Sequence, residues 1–316
     1  MRLVTYQHEG QTRTGALLGE SVVDLNRAYR AALRHLGNLN ELAVADSRLP
    51  TDMVNLLHGG EASLNAAARA VAFVRERQAA GDTTLAAQGL LYASSQVELL
   101  APVLRPGKVV CLGLNYRDHA AESGMTVPEY PVLFHKVAGS LIGQGQAVVI
   151  PRISEKVDYE AELAVIIGKR GKYIAEADAL AYVAGYTIAN DVSARDLQFR
   201  TTQWTTGKML DTFGPLGPAL VTKDEVPDPN ALRIASILNG EVMQDSNTSE
   251  MIFHVPFIVH YLSQLTTLEP GDVIMTGTPA GVGQARTPQV FLKAGDSITI
   301  EIEHLGSLTN PLVAEQ

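Results

Sequence analysis

The sequence predicts an α+β protein in which a β-dominated mixed roll or barrel follows a smaller α+β segment. Many short runs of β-forming residues lie beyond residue 104, where helical patterns occur only as insertions. Asn239 and Gly240 separate two such runs, and both tolerate the positive φ angles of a type I′ hairpin turn, which indicates antiparallel pairing. Because strands and helices do not alternate regularly, a Rossmann fold or a TIM barrel is disfavoured.

The first part of the chain predicts a small α+β domain. Residues 3–6 and 14–25 resemble strands of an antiparallel meander, and residues 26–48 and 61–80 carry Ala and Leu at helical spacing. The segment PVLRPG, residues 102–107, contains two prolines and a glycine, which favours a boundary. We therefore divide the chain into a small N-terminal domain, residues 1–103, and a catalytic domain, residues 104–316.

The second part is rich in predicted strands, and helices are expected within it only as insertions. The helices are predicted at residues 175–183 and 250–265. The strands are predicted at residues 109–112, 132–135, 147–150, 159–167, 186–189, 220–222, 234–238, 273–276 and 298–302.

Composition excludes several classes of function. The 316 residues carry a formal net charge of −9 without a local basic cluster, which argues against nucleic acid and anionic membranes as partners. The one cysteine, Cys111, lies in an apolar run and is interpreted as a buried structural thiol, so an intrachain disulfide is impossible. Neither a signal-peptide pattern nor an apolar stretch of membrane-spanning length is found, and a cytoplasmic location is expected.

Common catalytic motifs are absent from the sequence. It contains no G-x-S-x-G elbow, no G-x-x-x-x-G-K-[ST] loop, no H-E-x-x-H and no complete G-x-G-x-x-G. Acyl-serine, P-loop and zincin chemistries are therefore disfavoured.

The segment DYEAELAVIIG contains the first candidate site. In a strand, Asp158, Glu160 and Glu162 point to one face, which by itself is more typical of a solvated strand surface than of a site. However, residues 163–167 are apolar on both faces and indicate a central strand. Carboxylates converging on a buried strand repel one another unless a cation or proton neutralises them, so we expect Glu160 and Glu162 to bind a metal.

A third carboxylate ends another β-type run. Asp191 follows residues 186–190, where it could meet the glutamate pair, although an Asx cap of the following turn explains it equally well. An all-carboxylate site suits Mg²⁺ or Mn²⁺ and leaves positions for water and a chelating substrate.

A histidine and a glutamate share one face of a short predicted helix. Asn115 is a predicted N-cap with Asp118 at N3, and His119 and Glu122 have i,i+3 spacing. Such a pair can act as a general base, but it is also common on protein surfaces. The loop that follows, residues 124–131, indicates that the helix could belong to a mobile lid.

Two Gly-rich segments could bind substrate anions or could be ordinary turns. Residues 205–218 contain Lys208 among several glycines and prolines. Residues 275–283 form a second polar loop after a strand and contain Thr278.

Taken in order, the motifs NYRDHAAE, DYEAELAVIIGK, GYTIANDVSARDLQ, TTGKMLDTFGPLGP and TGTPAGVG resemble the fumarylacetoacetate hydrolase family over about residues 104–313. The resemblance implies the family's β-rich catalytic fold and a Mg²⁺ or Mn²⁺ ion held by Glu160, Glu162 and Asp191. The remaining site residues that it implies are a lid dyad, an enolate-stabilising lysine and substrate contacts, namely His119 and Glu122, Lys208, and Gln198, Thr278 and Arg117.

The same resemblance implies a homodimer that acts on a small 2-oxo acid. The expected reaction is hydrolysis of a C–C bond in an acylpyruvate-type substrate through a metal-stabilised enolate, with His119 activating water. Oxaloacetate decarboxylation, isomerisation of a 2-hydroxydienedioate and dehydration or hydrolysis of a 2-keto-3-deoxy sugar acid are alternatives on this scaffold. A non-catalytic binding domain is the alternative from another class.

Overall fold

The computed structural model describes all residues from Met1 to Gln316. The N-terminal part contains a meander, four helices and two further short strands, namely β1 (Arg2–His8), β2 (Gln11–Leu18), β3 (Ser21–Asp24), α1 (Leu25–His35), α2 (Glu41–Arg48), α3 (Met53–His58), α4 (Gly60–Ala79), β4 (Leu91–Ala93) and β5 (Glu98–Leu100). Two of the helices begin at aspartate caps, because Asp24 accepts a hydrogen bond from the amide of Arg27 and Asp52 from that of Asn55. The predicted meander and helices are thus confirmed.

The rest of the chain is dominated by strands. Its elements are β6 (Val109–Gly113), α5 (Arg117–Glu122), β7 (Val132–Lys136), β8 (Leu141–Ile142), β9 (Val148–Ile150), β10 (Val157–Asp158), β11 (Ala161–Ile167), β12 (Val183–Asn190), β13 (Ser193–Ala194), α6 (Arg195–Gln198), β14 (Gly214–Thr222), β15 (Arg233–Leu238), β16 (Glu241–Asn247), α7 (Val255–Leu265), β17 (Val273–Met275), β18 (Ser297–Ile302) and β19 (Gly306–Ala314). Each predicted strand forms, with ends that shift by a few residues. None of the helices combines the length and apolar character needed to cross a membrane.

Two large sheets build most of the molecule, and β10 and β13 form a separate two-stranded sheet. The larger has twelve strands, ten of them in the order β4-β3-β2-β1-β14-β12-β11-β17-β6-β7. Of the other two, β5 pairs with β1 and β8 pairs with β14. The smaller has five strands in the order β16-β15-β18-β19-β9, and its β15–β16 hairpin turns at Asn239 and Gly240, both with positive φ. Strands of both sheets contribute to one buried apolar cluster. The predicted β-dominated α+β fold is confirmed.

The N-terminal part shares its sheet and its core with the rest of the chain. Strand β1 pairs antiparallel with β14, and Leu3 lies opposite Leu220. A second buried cluster joins apolar residues of α1–α4 to Ala164, Ile166 and Met275 of the central strands. The sequence pattern changes near residue 104, but residues from both sides of that position belong to the same buried apolar cluster.

Several local predictions differ from the structure. Gly214–Pro218, the end of the Gly- and Pro-rich segment interpreted as an anion-binding loop or an ordinary turn, is the first half of β14. The predicted helix over residues 250–265 begins only at Val255, where proline occupies the first turn. Within the helix predicted at residues 175–183, Glu176–Tyr182 form a 3₁₀ helix rather than an α-helix, and β19 was not predicted because its apolar residues are few and interrupted.

Candidate metal centre and active-site cavity

Strand register brings the three predicted metal ligands together. All seven residues of β11 are buried, and the strand lies between β12 and β17, as its apolar continuation predicts. Ala161 pairs with Asn190, and the amide of Asp191 donates to the carbonyl of Glu160 at 2.9 Å. Asp191 therefore lies beside Glu160, and Glu162 follows on the same face of β11.

The triad of Glu160, Glu162 and Asp191 is compact and buried. One carboxylate oxygen from each lies within 4.8 Å of the others. Glu162 Oε2 accepts a hydrogen bond of 2.8 Å from the amide of Gly277, whereas Glu162 Oε1 is buried without any hydrogen-bond partner. An unpartnered buried carboxylate oxygen is costly, and a cation is a natural partner for it.

Three buried cations surround the triad. Lys208 Nζ donates to Glu160 Oε2 and to Asp191 Oδ2, both at 2.8 Å. Lys136 Nζ lies 2.7 Å from Asp191 Oδ1, and Arg195 Nη1 donates to Glu160 Oε1 at 2.6 Å. Glu162 is the one member of the triad that no cation contacts.

These contacts shift the titration of the groups in different directions. Burial raises the pKa of Glu160, but the charges of Lys208 and Arg195 outweigh it and hold that pKa well below its usual range. Burial, reinforced by the negative charges of Asp191 and Glu160, raises the pKa of Glu162 well above its usual value. Burial lowers the pKa of Lys208, but Asp191 and Glu160 outweigh it, and the net shift is upward.

The donor set fits a hard divalent cation. Asp158 adds a fourth buried carboxylate to the triad. The four carboxylates and the three cationic side chains together carry one formal negative charge. A divalent ion would change this to one positive charge, which suits an anionic substrate. Three carboxylates without Cys or His are the ligands expected for Mg²⁺ or Mn²⁺, and Glu162 Oε1 is available to either.

The predicted lid dyad forms beside this centre. His119 Nδ1 lies 2.7 Å from Glu122 Oε1, which leaves Nε2 as the free ring nitrogen. Glu122 Oε2 accepts from the amide of Gly281 at 2.9 Å, so helix α5 is closed onto the loop after β17. Asp118 anchors the other end of the helix by accepting from Ser246 Oγ at 2.9 Å.

A cavity of about 270 Å³ connects the lid with the carboxylates. Its polar lining combines six of the predicted site residues, namely His119, Glu122, Glu160, Gln198, Lys208 and Thr278. Apolar side chains, among them Phe134 and Trp204, form much of the remaining wall. Such a mixture of apolar walls and convergent polar groups is typical of a small-molecule site.

Two residues of the NYRDHAAE motif lie elsewhere than predicted. Arg117 is not among the cavity-lining residues, and its Nη1 donates to the carbonyl of Met251 at 3.1 Å. Asn115 is not the helix cap, because Tyr116 occupies that position. The Asn115 side chain instead bonds to the backbone of Phe253 and of Thr276, which joins β17 to the start of α7.

Sequence reasoning assigned no role to several polar residues at the site. Arg195 donates to Asp158 Oδ2 at 2.9 Å as well as to Glu160, and Asp158 also accepts from the amides of Gly283 and Gln284. Lys136 contributes a buried ammonium from β7. In the sequence, these roles could have been indicated only by the position of Arg195 shortly after Asp191 and by that of Lys136 at the end of an apolar run.

Comparison with known proteins is consistent with this geometry. Residues 108–313 match the model of the fumarylacetoacetate (FAA) hydrolase C-terminal family. The chain belongs to the fumarylacetoacetate hydrolase family. The resemblance inferred from the motifs is thereby confirmed, and the protein is a family enzyme with a buried acidic metal site.

Relatives in the family differ in the reactions that their names record. The chain is 46% identical to the mitochondrial oxaloacetate tautomerase Fahd2a of Rattus norvegicus, over 99% of this chain and 92% of the relative. A fumarylacetoacetate hydrolase from Exiguobacterium antarcticum is 32% identical with a TM-score of 0.78, and a maleylpyruvate hydrolase from Sphingobium sp. SYK-6, solved with manganese(II) and pyruvate, is 28% identical with a TM-score of 0.71. In both comparisons the match covers 100% of each chain.

Proposed function

We propose that this protein is a divalent-metal-dependent tautomerase that interconverts the enol and keto forms of oxaloacetate. The observation that supports this reaction best is the 46% identity to a named oxaloacetate tautomerase over nearly the whole chain. The proposal replaces C–C bond hydrolysis as the leading expectation, while it keeps the small 2-oxo acid and the enolate chemistry.

The metal ligands and the lysine hold and polarise the substrate. A Mg²⁺ or Mn²⁺ ion on Glu160, Glu162 and Asp191 would supply Lewis acidity that favours negative charge on the 2-oxo oxygen. Lys208 uses two of its three N–H groups on Glu160 and Asp191, which leaves one for a substrate oxygen in the cavity.

The lid dyad moves the proton. Glu122 accepts from His119 Nδ1, so Nε2 is the ring nitrogen left to exchange a proton with a substrate in the cavity. His119 Nε2 removes the proton from C3 of the keto form and delivers the same proton to the 2-oxygen, which gives the enol, and the reverse transfer regenerates the keto form. The reaction neither consumes water nor breaks a C–C bond, so it does not require a water molecule at the lid dyad.

Hydrolysis of an acylpyruvate is the second candidate. It is favoured by the intact His119–Glu122 pair, which has the geometry of a general base for water. In that reaction acetylpyruvate and water would give acetate and pyruvate, whereas tautomerisation yields neither product. Decarboxylation of oxaloacetate would give pyruvate and carbon dioxide.

The test supplies the enol form of oxaloacetate and follows the loss of its ultraviolet absorbance with and without Mg²⁺ or Mn²⁺, while pyruvate is measured in parallel. We expect metal-dependent acceleration of ketonisation without matching pyruvate, and its loss in Glu160→Gln. Pyruvate release from acetylpyruvate without acceleration of ketonisation would identify the hydrolase instead. A protein inactive on every 2-oxo acid would favour a non-catalytic binding role.

Two further expectations belong to this proposal. We propose a homodimer, which light scattering coupled to size-exclusion chromatography would measure. A cytoplasmic location stays a prediction that imaging of the tagged protein would test, and the name of the rat relative places that protein in mitochondria.

A further inference from the structure

One buried glutamine joins the smaller sheet to the active site. Gln244 lies in β16, is only 1% exposed and directs its amide towards the start of β11 and the loop after β17. Its Oε1 accepts from the amide of Ala161 at 3.0 Å. Its Nε2 donates to Thr278 Oγ1 and to the carbonyl of Pro279, both at 2.8 Å.

The partners fix the orientation of this amide group. The amide of Ala161 can only donate, so the atom of Gln244 facing it must be the oxygen. The carbonyl of Pro279 can only accept, so the atom facing it must be the nitrogen. The Gln244 group facing Thr278 is therefore a hydrogen-bond donor, and a flipped amide would break both other bonds.

This orientation determines what Thr278 can offer to a ligand. A threonine hydroxyl donates one hydrogen bond and accepts up to two. Thr278 accepts from Gln244, its hydroxyl has no acceptor in the protein, and the residue lines the cavity. Its proton is thus free for a ligand oxygen that accepts, such as a carboxylate or carbonyl.

We infer that Gln244 is a positioning residue that makes Thr278 a dedicated hydrogen-bond donor to a carboxylate or carbonyl oxygen of the substrate. This inference rests on the proposed function, because it assigns a binding contact for the 2-oxo acid.

A double-mutant cycle tests whether Gln244 acts on substrate binding through Thr278. Thr278→Val removes the hydroxyl at similar volume, and we expect KM for oxaloacetate to rise about tenfold or more while kcat changes little, because a bond to a charged group is lost. Thr278→Ser should restore most of the affinity. Gln244→Met should raise KM about threefold to tenfold, and in the Thr278→Val background it should raise KM no further.

Calorimetric binding of oxalate, a planar mimic of the enolate, to the Mn²⁺-loaded protein repeats the cycle without turnover. The proposal is overturned if the Gln244→Met and Thr278→Val effects add, or if Gln244→Met lowers kcat while KM is unchanged. If Gln244→Met does not unfold cooperatively, Gln244→Asn replaces it, since the shorter amide keeps polar atoms near Ala161 and Pro279 but withdraws the donor from Thr278. Wild-type protein that binds oxalate but does not tautomerise oxaloacetate would refute the proposed function and leave this inference testable.

Discussion

At the scale of single residues, Glu162 is the carboxylate whose environment most requires a metal ion. Its Oε1 lacks a partner, and the neighbouring carboxylates raise its pKa together with burial. Glu160 and Asp191 instead have ammonium partners that stabilise their charge. Negative charge is therefore compensated least at Glu162, because no cationic side chain contacts it.

Glu162→Gln should abolish metal binding without destabilising the metal-free protein. The amide oxygen can still accept from Gly277, and removing the unpartnered charge relieves repulsion from Asp191 and Glu160. We expect the affinity for Mn²⁺ to fall at least about 100-fold, beyond the usual effect of an outer-shell mutation. Thermal unfolding with and without Mn²⁺ measures both quantities, and Asp245→Asn, an exposed carboxylate, is the control. A large fall in the metal-free melting temperature would contradict the prediction.

The single cysteine should be unreactive in the folded protein. Cys111 is fully buried, and burial, together with the charges of Asp191 and Glu162, raises the pKa of its thiol well above the usual value. The thiolate that reacts with a disulfide reagent is therefore suppressed at pH 8. We expect no colour with an aromatic disulfide reagent until guanidinium unfolds the chain, when one equivalent should react. Rapid labelling of the native protein would show that this part of the core opens.

At the scale of elements, the loop between β17 and the following 3₁₀ turn closes the site from two directions. The Gly277 amide binds Glu162, and the Gly281 amide binds Glu122 of the lid helix. Gly281 has a φ of 104°, and a Cβ atom there would lie 2.3 Å from the carbonyl of Met243. The backbone can therefore adopt this path only with glycine at that position.

Gly281→Ala should displace this loop and weaken the closed lid. Gly295→Ala is the matched control, because Gly295 also has positive φ but has no atom near the added methyl group. The control should cost about 1–2 kcal/mol of stability from backbone strain alone and leave KM unchanged. Gly281→Ala should cost more and raise KM severalfold, as chemical denaturation and steady-state kinetics would measure. Equal effects of the two substitutions would show that the contact with Met243 is unimportant.

Site residues on one strand could be predicted from the sequence, whereas those brought together by tertiary packing could not. Glu160 and Glu162 were found because alternation along one strand is a local property, and the apolar residues after them indicate burial. Lys136 and Gln244 were missed because they come from β7 and β16, which reach the site only through tertiary packing. Asn115 was predicted as a helix cap from local spacing, but contacts with α7 and β17 determine its role.

At the scale of the whole molecule, the shared sheet and core make the two parts of the chain interdependent. The fold class could be predicted from many short strands and one hairpin signal, whereas the β1–β14 pairing could not, because it joins residues more than 200 positions apart. The apolar cluster beneath the N-terminal helices includes the central strands that carry the metal ligands. Stability and function are therefore linked across the compositional boundary at residue 104.

A fragment of residues 104–316 should not fold cooperatively. Without residues 1–103, the second half of β14 would lose β1 and present an unpaired edge, and Leu216 and Leu220 would lose apolar residues of the N-terminal part that share their cluster. We expect the fragment to aggregate or to bind a hydrophobic dye, and circular dichroism should show a broad thermal transition. The full chain is the reference. A soluble fragment with a sharp transition would show that the boundary separates two independent folding units.

The pairing of Ala161 with Asn190 has a further consequence for how the protein folds. Side chains alternate along a strand, so a slip of one residue between β11 and β12 would turn Asp191 away from Glu160 and dismantle the triad. Only correctly paired chains can then bind the divalent ion tightly. Metal present during refolding should therefore bind and stabilise only molecules with the native register, and it should raise the yield of native protein.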